Sequence, residues 1–262
     1  MTPDPTVVVG RNPVRETLAA EPDRIEKVVL QKGAHGSGID AIRRMAREAG
    51  VPVQMAPGQR LDKLAAGAGH QGVLALVAPV AYQDLDAMLS TIAPTTDDVR
   101  AQKPLVVVLD EIEDPHNFGA ILRSCVAAGV AGVVVPDRRM APLSATAVKA
   151  SAGAALRLPI ARVTRLVDAL TQLKERGYWV VGLAGDAEGS GVEQTTIWTY
   201  DWDRAAVLVV GNEGRGLRPV VQQACDVLAE IPMRGPIESL NASVAAGVAL
   251  FAAVRDRDAP AG

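Results

Sequence analysis

Short apolar runs recur along residues 104–262, and most of them are followed by a stretch with helical periodicity. The runs are PLVVVLD (104–110), GVVVP (132–136), LPIARV (158–163), YWVVGLAG (178–185), AAVLVVG (205–211) and VLAEIPM (227–233). Strands that are apolar on both faces and alternate with helices are typical of a parallel sheet covered on both sides. These residues therefore predict an α/β domain built on a parallel sheet.

Residues 1–80 predict a smaller α/β unit of their own. IDAIRRMAREAG (39–50) has the apolar spacing of an amphipathic helix and ends at a glycine. The strand-like runs around it are KVVLQ (27–31), VPVQMA (51–56) and GVLALVAPV (72–80). Residues 81–103 lie between the two units, and much of this stretch is polar, contains proline and lacks periodicity. We therefore predict a linker there.

Composition narrows the classes of function. Of the 262 residues, 48% are hydrophobic and only 3% are aromatic, and the net charge is −3. Few aromatic residues argue against a base-stacking platform of the RRM type, and the acidic balance argues against a general nucleic-acid coat protein. No apolar run reaches the roughly 18 residues of a membrane span. Cys125 and Cys225 lie far apart without a CxxC pair, so we expect a soluble, cytoplasmic protein with reduced cysteines and no membrane contact.

Three of the apolar runs end in polar segments that contain Gly or Pro. EIEDPHNFGAILRS follows the first run, NEGRGL follows the fifth, and PMRGPIESLNASVAAGVAL begins after VLAEI in the sixth. Ligands of parallel sheets bind at the carboxyl ends of the strands, so the three segments predict one site. The second segment has the order G-x-x-G-x-G. It is therefore neither the dinucleotide fingerprint G-x-G-x-x-G nor a Walker A loop, which ends in Gly-Lys-Ser/Thr.

The three segments resemble the signature motifs of the SpoU (TrmH-like) RNA 2′-O-ribose methyltransferases. The matching patterns are N-x-G-A-x-x-R (117–123), G-N-E-G-x-G-L (211–217) and I-P-M-x-G-x-x-x-S-L-N-x-S-V-A (231–245). VGRNPVRETL and HQGVLALV also resemble the RNA-binding module of the two-domain rRNA guanosine-2′-O-methyltransferase branch. The resemblance implies an RNA substrate-binding domain in residues 1–80 and a SPOUT methyltransferase domain with a C-terminal trefoil knot in residues 104–262.

The resemblance also implies an activity. S-adenosylmethionine would donate a methyl group to a ribose 2′-hydroxyl of RNA, with a guanosine in 23S rRNA as the expected target. A homodimer with active sites near the subunit interface is implied, with neither DNA nor a metal ion involved. A tRNA target, an antibiotic-resistance rRNA target and a non-enzymatic RNA-binding module stay open as alternatives. A nucleotide-dependent oxidoreductase is disfavoured because the G-x-G-x-x-G pattern is absent.

Nine residues are assigned to the site by this resemblance. The expected catalytic residues are Arg123, Asn117, Glu213, Ser239 and Asn241, and the expected cofactor-binding residues are Gly211, Ile231, Met233 and Leu240. A guanidinium stays protonated and is a poor base, so Arg123 is expected to hold the target phosphate and polarise the hydroxyl. Gly211 has no Cβ, so its backbone is expected to approach the cofactor closely. Asn117 is also a candidate N-cap for the helix that carries Arg123.

Two groups of charged residues need a separate interpretation. Four acidic side chains follow the first apolar run: Asp110, Glu111, Glu113 and Asp114. We expect them to be solvated charges on a turn and not metal ligands. The net negative charge leaves room for a local basic surface that binds RNA. The candidates for it in the second domain are Arg138, Arg139, Lys149 and Arg157, while Arg215 is either RNA-facing or structural.

Overall fold

A computed structural model describes residues 6–20, 22, 25–77, 82–141, 143, 145–185, 190–237 and 239–258. In chain order, the elements are β1 (Thr6–Val9), α1 (Arg11–Ala20), β2 (Ile25–Gln31), α2 (Ser37–Glu48), β3 (Val53–Ala56), α3 (Gly58–Leu64), β4 (Val73–Val77), α4 (Leu85–Ile92), α5 (Thr96–Gln102), β5 (Leu105–Leu109), α6 (Pro115–Ala127), β6 (Gly132–Pro136), α7 (Ala145–Ala150), a 3₁₀ turn (Ala154–Leu156), β7 (Ile160–Val163), α8 (Leu166–Glu175), β8 (Trp179–Leu183), β9 (Glu193–Thr196), β10 (Ala206–Val210), α9 (Pro219–Gln222), β11 (Val227–Glu230) and α10 (Ala242–Arg257). No helix in these residues is long and apolar enough to cross a membrane.

The described residues form two compact units. The first takes its residues from Met1–Ala81, Phe118–Arg123 and Pro142–Arg157, and the second from Tyr82–Asn117, Ser124–Ala141 and Leu158–Gly262. In the first unit, four described strands form a sheet in the order β1-β4-β2-β3. Strand β4 is antiparallel to β1 and β2, and β2 is parallel to β3. All five residues of β4 are buried, as expected for a central strand.

The second unit contains the parallel sheet. Among the described residues its seven strands have the order β7-β6-β5-β10-β8-β11-β9, and every pairing is parallel. The three adjacent strands β6, β5 and β10 are buried along their whole length because apolar layers cover both faces. The predicted α/β class is confirmed, and the trefoil knot stays a prediction. This order places the carboxyl ends of β6, β5, β10, β8 and β11 side by side.

The segment expected as a linker, residues 81–103, contains the whole of α4 and α5. Asp84 caps α4, and Thr95 and Asp98 form a capping box at the start of α5. Both helices contribute buried side chains to the core of the second unit: Leu85, Met88, Leu89, Ala93 and Val99. Each helix has about two turns, which is too short for the apolar spacing to stand out. The caps Asp84 and Thr95 were the local signal of these helices.

Candidate active site

A cleft of about 670 Å³ lies at the carboxyl ends of three neighbouring strands, β10, β8 and β11. Residues that follow each of these strands form its walls. All four residues expected to bind the cofactor line it: Gly211, Ile231, Met233 and Leu240. Two residues of the expected catalytic set, Glu213 and Ser239, line it as well. The cleft therefore combines an apolar surface with one carboxylate and one hydroxyl, as is typical of sites for organic ligands with charged groups.

The loop from Gly211 to Leu217 is held in a tight turn. The backbone N–H of Asn212 donates to the carbonyl of Gly216 at 3.1 Å, and the N–H of Gly216 donates back at 2.8 Å. A Cβ on Gly211 would lie 2.4 Å from the carbonyl carbon of Gly216 and 2.5 Å from the nitrogen of Leu217. Glycine is therefore required because the chain folds back on itself here. The sequence alone suggested a different reason for the glycine, namely close approach of the backbone to a ligand. In the structure an added Cβ would first meet the backbone of Gly216 and Leu217.

Asn212 also shapes this loop, although it is not among the nine residues assigned to the site from the sequence. Its Nδ2 donates to the carbonyl of Glu111 at 2.9 Å, and its Oδ1 accepts from the N–H of Gly214 at 3.0 Å. The second contact is an Asx-type turn, which asparagine favours in glycine-rich loops. That preference was a usable signal in the sequence. The first contact was not, because the two residues are distant in the chain.

A chain of side-chain hydrogen bonds joins the three predicted motifs. Asn117 donates through Nδ2 to a carboxylate oxygen of Glu213. Asn241 donates through Nδ2 to Oδ1 of Asn117 at 3.0 Å. One residue from each motif thus takes part. The Asn117 amide orients the Glu213 carboxylate at the cleft wall, and the Asn241 amide orients Asn117. Such coupled polar groups hold one geometry better than isolated pairs do.

The N-cap of α6 is not Asn117, the candidate that the sequence offered. Helix α6 begins at Pro115, and its N-cap is Asp114, whose carboxylate accepts from the N–H of His116 at 2.9 Å. Asn117 therefore lies inside the first turn, where its side chain is available for the hydrogen-bond chain. At the last helix, Asn241 is the N-cap and accepts from the N–H of Ser243 at 2.9 Å. Pro at the first helical position and Asn at the N-cap are both favoured.

Arg123 is not among the residues that line the cleft. It lies on α6 six residues after Asn117, which places the two side chains about 120° apart around the helix axis. Its side chain is exposed. In the part of the chain that the structure describes, its guanidinium has no hydrogen bond or ion pair. The structure thus brings four of the five expected catalytic residues together and leaves Arg123 on a solvent-facing surface.

The acidic residues after β5 were expected to be solvated, and this is wrong for two of them. Asp110 is fully buried. Its carboxylate accepts from Nε of Arg218 at 2.8 Å and from the backbone N–H of Arg218 at 3.0 Å. The Glu111 side chain is only 7% exposed and lies 3.3 Å from Nη1 of Arg139. Their cationic partners come from distant parts of the chain, so no local pattern could show that these carboxylates are buried. Glu113, with 51% of its side chain exposed, fits the expectation.

Comparison with known proteins identifies the family of both regions of the chain. Residues 104–251 match the SpoU rRNA Methylase family, and residues 7–83 match a domain described as RNA 2′-O ribose methyltransferase substrate binding. The 23S rRNA (guanosine-2′-O-)-methyltransferase RlmB of Xanthomonas campestris is 40% identical over 253 residues, which cover 95% of this chain and 96% of that protein. The putative TrmH family tRNA/rRNA methyltransferase YacO of Bacillus subtilis is 37% identical over 251 residues, with 96% of each chain covered.

Solved structures show the same relationship. The SpoU methyltransferase AviRb from Streptomyces viridochromogenes, in complex with the cofactor AdoMet, has a TM-score of 0.74 and 26% identity over 96% of this chain and 90% of that one. An AdoMet-bound rRNA methyltransferase from Sinorhizobium meliloti has a TM-score of 0.74 and 25% identity over 95% of this chain and 87% of that one. The sequence motifs, the parallel sheet and these similarities agree, and the chain belongs to the SpoU rRNA methylase family of RNA 2′-O-ribose methyltransferases.

Proposed function

We propose that this RNA ribose 2′-O-methyltransferase uses S-adenosylmethionine to methylate a guanosine in 23S rRNA. The observation that carries the proposal is the cleft at the ends of β10, β8 and β11, where the three motifs of the family meet through Glu213, Asn117 and Asn241. The target is suggested by the relative from Xanthomonas campestris, which matches this chain over both domains and bears that activity in its name.

The residues of the cleft fit S-adenosylmethionine. Its volume of about 670 Å³ lies in the range of pockets that enclose small organic ligands. Ile231, Met233 and Leu240 supply an apolar surface suited to the adenine ring, and the Glu213 carboxylate favours a cationic ligand group. When bound, S-adenosylmethionine supplies a methyl group activated by its positively charged sulfur.

The chain's own residues then have two tasks, which are to align the ribose and to assist the loss of its hydroxyl proton. Asn117 holds the carboxylate of Glu213 at the cleft wall, and Asn241 holds Asn117. Ser239 adds a hydroxyl on the same cleft. Holding reacting groups in line supplies several kcal/mol of the barrier reduction in such reactions, on the order of 7–11 kcal/mol at best.

Arg123 is proposed to act on the RNA and not on the cofactor. Its exposed guanidinium, which has no partner within the described residues, is available to bind the phosphate next to the target ribose and to polarise the 2′-hydroxyl. The cofactor would supply the methyl group to the 2′-oxygen, and the hydroxyl proton would pass to solvent water, because a protonated guanidinium cannot accept it. A protonated guanidinium stabilises the negative charge that develops on the oxygen.

The proposal is tested by calorimetry with S-adenosylmethionine and by transfer of a labelled methyl group to an unmodified 23S rRNA transcript. We expect binding and stoichiometric labelling of one guanosine. In cells that lack the protein, mapping of 2′-O-methyl groups should show the loss of that one modification. Labelling of tRNA and not of 23S rRNA would overturn the proposed target. The assay therefore includes tRNA as a second substrate, because the relative from Bacillus subtilis is named a tRNA/rRNA methyltransferase.

We also propose that the enzyme is a homodimer and that the outer face of α10 contributes to the interface. Val244 and Phe251 lie seven residues apart on one face of this helix, and each is 51% exposed. A two-fold interface pairs one surface with itself, so a helix stripe with an apolar centre is suited to it. Trp198, which is 45% exposed, lies beside this helix under the Arg255 guanidinium at 5.7 Å and extends the apolar surface.

Sedimentation of a Phe251→Glu variant tests this interface. We expect the wild type to sediment as a dimer and the variant as a folded monomer, because two carboxylates would face each other across the two-fold axis. Val53→Glu is the matched control, since Val53 is also an exposed apolar residue, at 40%, and lies in the other unit. A wild-type monomer with full activity would contradict the dimer. A dimeric Phe251→Glu variant would place the interface elsewhere.

A further inference from the structure

Two exposed arginines converge on one buried carboxylate beside the cleft. Arg139 follows β6, Glu111 follows β5 and Arg215 follows β10, and these three strands are neighbours in the sheet. Nη1 of Arg139 lies 3.3 Å from Oε1 of Glu111, and Nη1 of Arg215 lies 3.7 Å from Oε2. Oε1 also lies 3.7 Å from Nε of Arg218, so three arginines surround this carboxylate in one ionic cluster, and Arg139 and Arg215 are the two that expose most of their side chains.

The backbone at this cluster is held in an unfavourable conformation. Glu111 has φ 60° and Arg139 has φ 52°, both in the left-handed region that residues other than glycine rarely adopt. Such strain persists only where surrounding contacts maintain it, and it concentrates at functional sites. Here the two strained residues, 28 positions apart in sequence, are paired to each other through their side chains. The residue before Glu111, Asp110, is fully buried and forms an ion pair with Arg218, which fixes the backbone next to Glu111.

The outer side of the cluster is open to solvent. Arg139 and Arg215 expose 62% and 64% of their side chains, although the carboxylate that holds them is only 7% exposed. A guanidinium has five N–H donors, more than the contacts of Arg139 with Glu111 and of Arg215 with Glu111 and Glu113 can occupy. Planar donors of this kind match the oxygens of a phosphodiester. Arg215 is also two residues from Glu213, which lines the cleft.

We propose that Arg139 and Arg215 bind phosphates of the RNA strand next to the methylated ribose, and that Glu111 is a positioning residue that holds both arginines. This inference rests on the proposed function and adds the residues by which the methyltransferase unit grips its substrate. It places the RNA backbone along the carboxyl edge of the sheet, from β6 past β10 to the cleft. At this edge the two guanidinium groups are exposed while the Glu111 carboxylate is buried, so a chain with a net charge of −3 still presents cations to RNA here.

The test compares variants in two assays that use an unmodified 23S rRNA transcript, namely binding as a function of salt and steady-state methyl transfer. Arg139→Ala and Arg215→Ala should each raise KM for the transcript about tenfold and leave kcat within about threefold. Each should also lower the slope of log affinity against log salt by about 0.7 to 1, the value for one lost phosphate contact. Affinity for S-adenosylmethionine should not change.

Glu111→Gln distinguishes positioning from direct contact. It should raise KM for the transcript in the wild-type background and have no further effect in the Arg139→Ala/Arg215→Ala double variant, because Glu111 affects RNA binding through those two arginines. Its third neighbour, Arg218, is held by Asp110 in both backgrounds. If Glu111→Gln unfolds, Glu111→Asn replaces it, since asparagine tolerates the left-handed backbone better. An equal effect in both backgrounds would show that Glu111 acts in some other way.

Arg100→Ala is the matched control. Arg100 is 76% exposed and has an ion pair with Asp97, but it lies on α5, ahead of β5 and away from the carboxyl edge. Normal KM and salt slope in both arginine variants would overturn the inference, as would loss of S-adenosylmethionine binding with RNA affinity unchanged. A wild type that binds the transcript without methylating it would overturn only the proposed target, and the salt slopes would still decide the inference. A wild type that binds no RNA would overturn both.

Discussion

At the scale of single residues, Gly211 shows how strongly one atom can affect the cleft. An added Cβ would lie 2.4–2.5 Å from backbone atoms of Gly216 and Leu217, which cannot move without opening the turn. We expect Gly211→Ala to lower the free energy of unfolding by about 1–3 kcal/mol, the usual cost of overpacking. Binding of S-adenosylmethionine should weaken at least tenfold because the loop at the cleft is displaced. Thermal unfolding and calorimetry measure the two effects.

Gly214 provides the control within the same loop. A Cβ there would meet only Oδ1 of Asn212 at 3.7 Å, an ordinary contact. Gly214→Ala should therefore keep the wild-type stability within about 0.5 kcal/mol, as for most surface changes. If Gly211→Ala were as stable as Gly214→Ala and bound the cofactor normally, the close approach of the chain would not be a constraint on the site.

A substitution at Arg123 should lower methyl transfer without weakening the binding of S-adenosylmethionine. Arg123→Ala should keep the affinity for S-adenosylmethionine within a few-fold, since Arg123 does not line the cleft. Methyl transfer to 23S rRNA should fall by about two orders of magnitude or more, as when one contact to a developing charge is removed. Arg123→Lys should restore little, because an ammonium lacks the bidentate geometry of a guanidinium. Near-normal turnover by a folded Arg123→Ala enzyme would refute the role.

At the scale of elements, α10 is attached at both ends by side chains. Asn241 caps its start and contacts Asn117, and Arg257 holds its end. The Arg257 guanidinium donates to three carbonyl oxygens, those of Lys103 at 2.8 Å, Arg204 at 2.7 Å and Trp202 at 3.1 Å. Burial lowers the pKa of this guanidinium. These contacts connect the last helix to the segments before β5 and β10, so the helix and the sheet should unfold together.

Arg257→Met tests this attachment. It preserves much of the side-chain volume but leaves three carbonyl groups without their donor, so the free energy of unfolding should fall by about 2–4 kcal/mol. Arg165→Met is the control, because Arg165 is 75% exposed and has only an ion pair with Asp168. Exposed pairs of this kind contribute about 0–1 kcal/mol. Equal stabilities of the two variants in urea unfolding would show that the end of α10 frays independently.

At the scale of the whole molecule, buried acidic groups should make the fold sensitive to alkali. Burial raises the pKa of Cys225, Tyr178 and Tyr200 to about 12, and it raises the pKa of Cys125 as well. In the unfolded chain, thiols and phenols ionise near their ordinary values of 9.0 and 10.0. Between pH 9 and 12 the unfolded state therefore binds fewer protons than the folded state, and stability decreases as pH rises.

The decline should be up to about 1.4 kcal/mol per pH unit for each group with such a shift. Urea unfolding at pH 8 and pH 10.5 measures it. Cys225→Ala removes one of the titrating groups, so its stability should fall less over the same range than that of the wild type. Parallel declines in the two proteins would mean that the Cys225 thiol ionises equally in both states. Both cysteines are free and buried in the native state, and neither should react with a thiol reagent at pH 8.

Local patterns were sufficient for six of the seven described strands of the parallel sheet and for its three polar strand ends, but they did not predict the short polar edge strand β9. Apolar runs, helical spacing and glycine-rich turns are properties of neighbouring residues, so they can be read without knowing the path of the chain. The motifs carried the family and most of the residues that line the cleft, whereas Leu183, Ala184 and Gly185 at the end of β8 lie outside the motifs. Their catalytic roles stay predictions.

Contacts between residues that are distant in the sequence could not be predicted from the pattern of neighbouring residues. Glu111 is buried because Arg139 and Arg215 reach it from two other strand ends, 28 and 104 residues away. The hydrogen-bond chain through Asn117 likewise joins segments that are far apart in sequence. A charged residue after a strand has the same local pattern whether water or distant arginines surround it. The difference lies in which strands become neighbours, because adjacency in the sheet brings their carboxyl ends together and excludes the water that would otherwise solvate the charge.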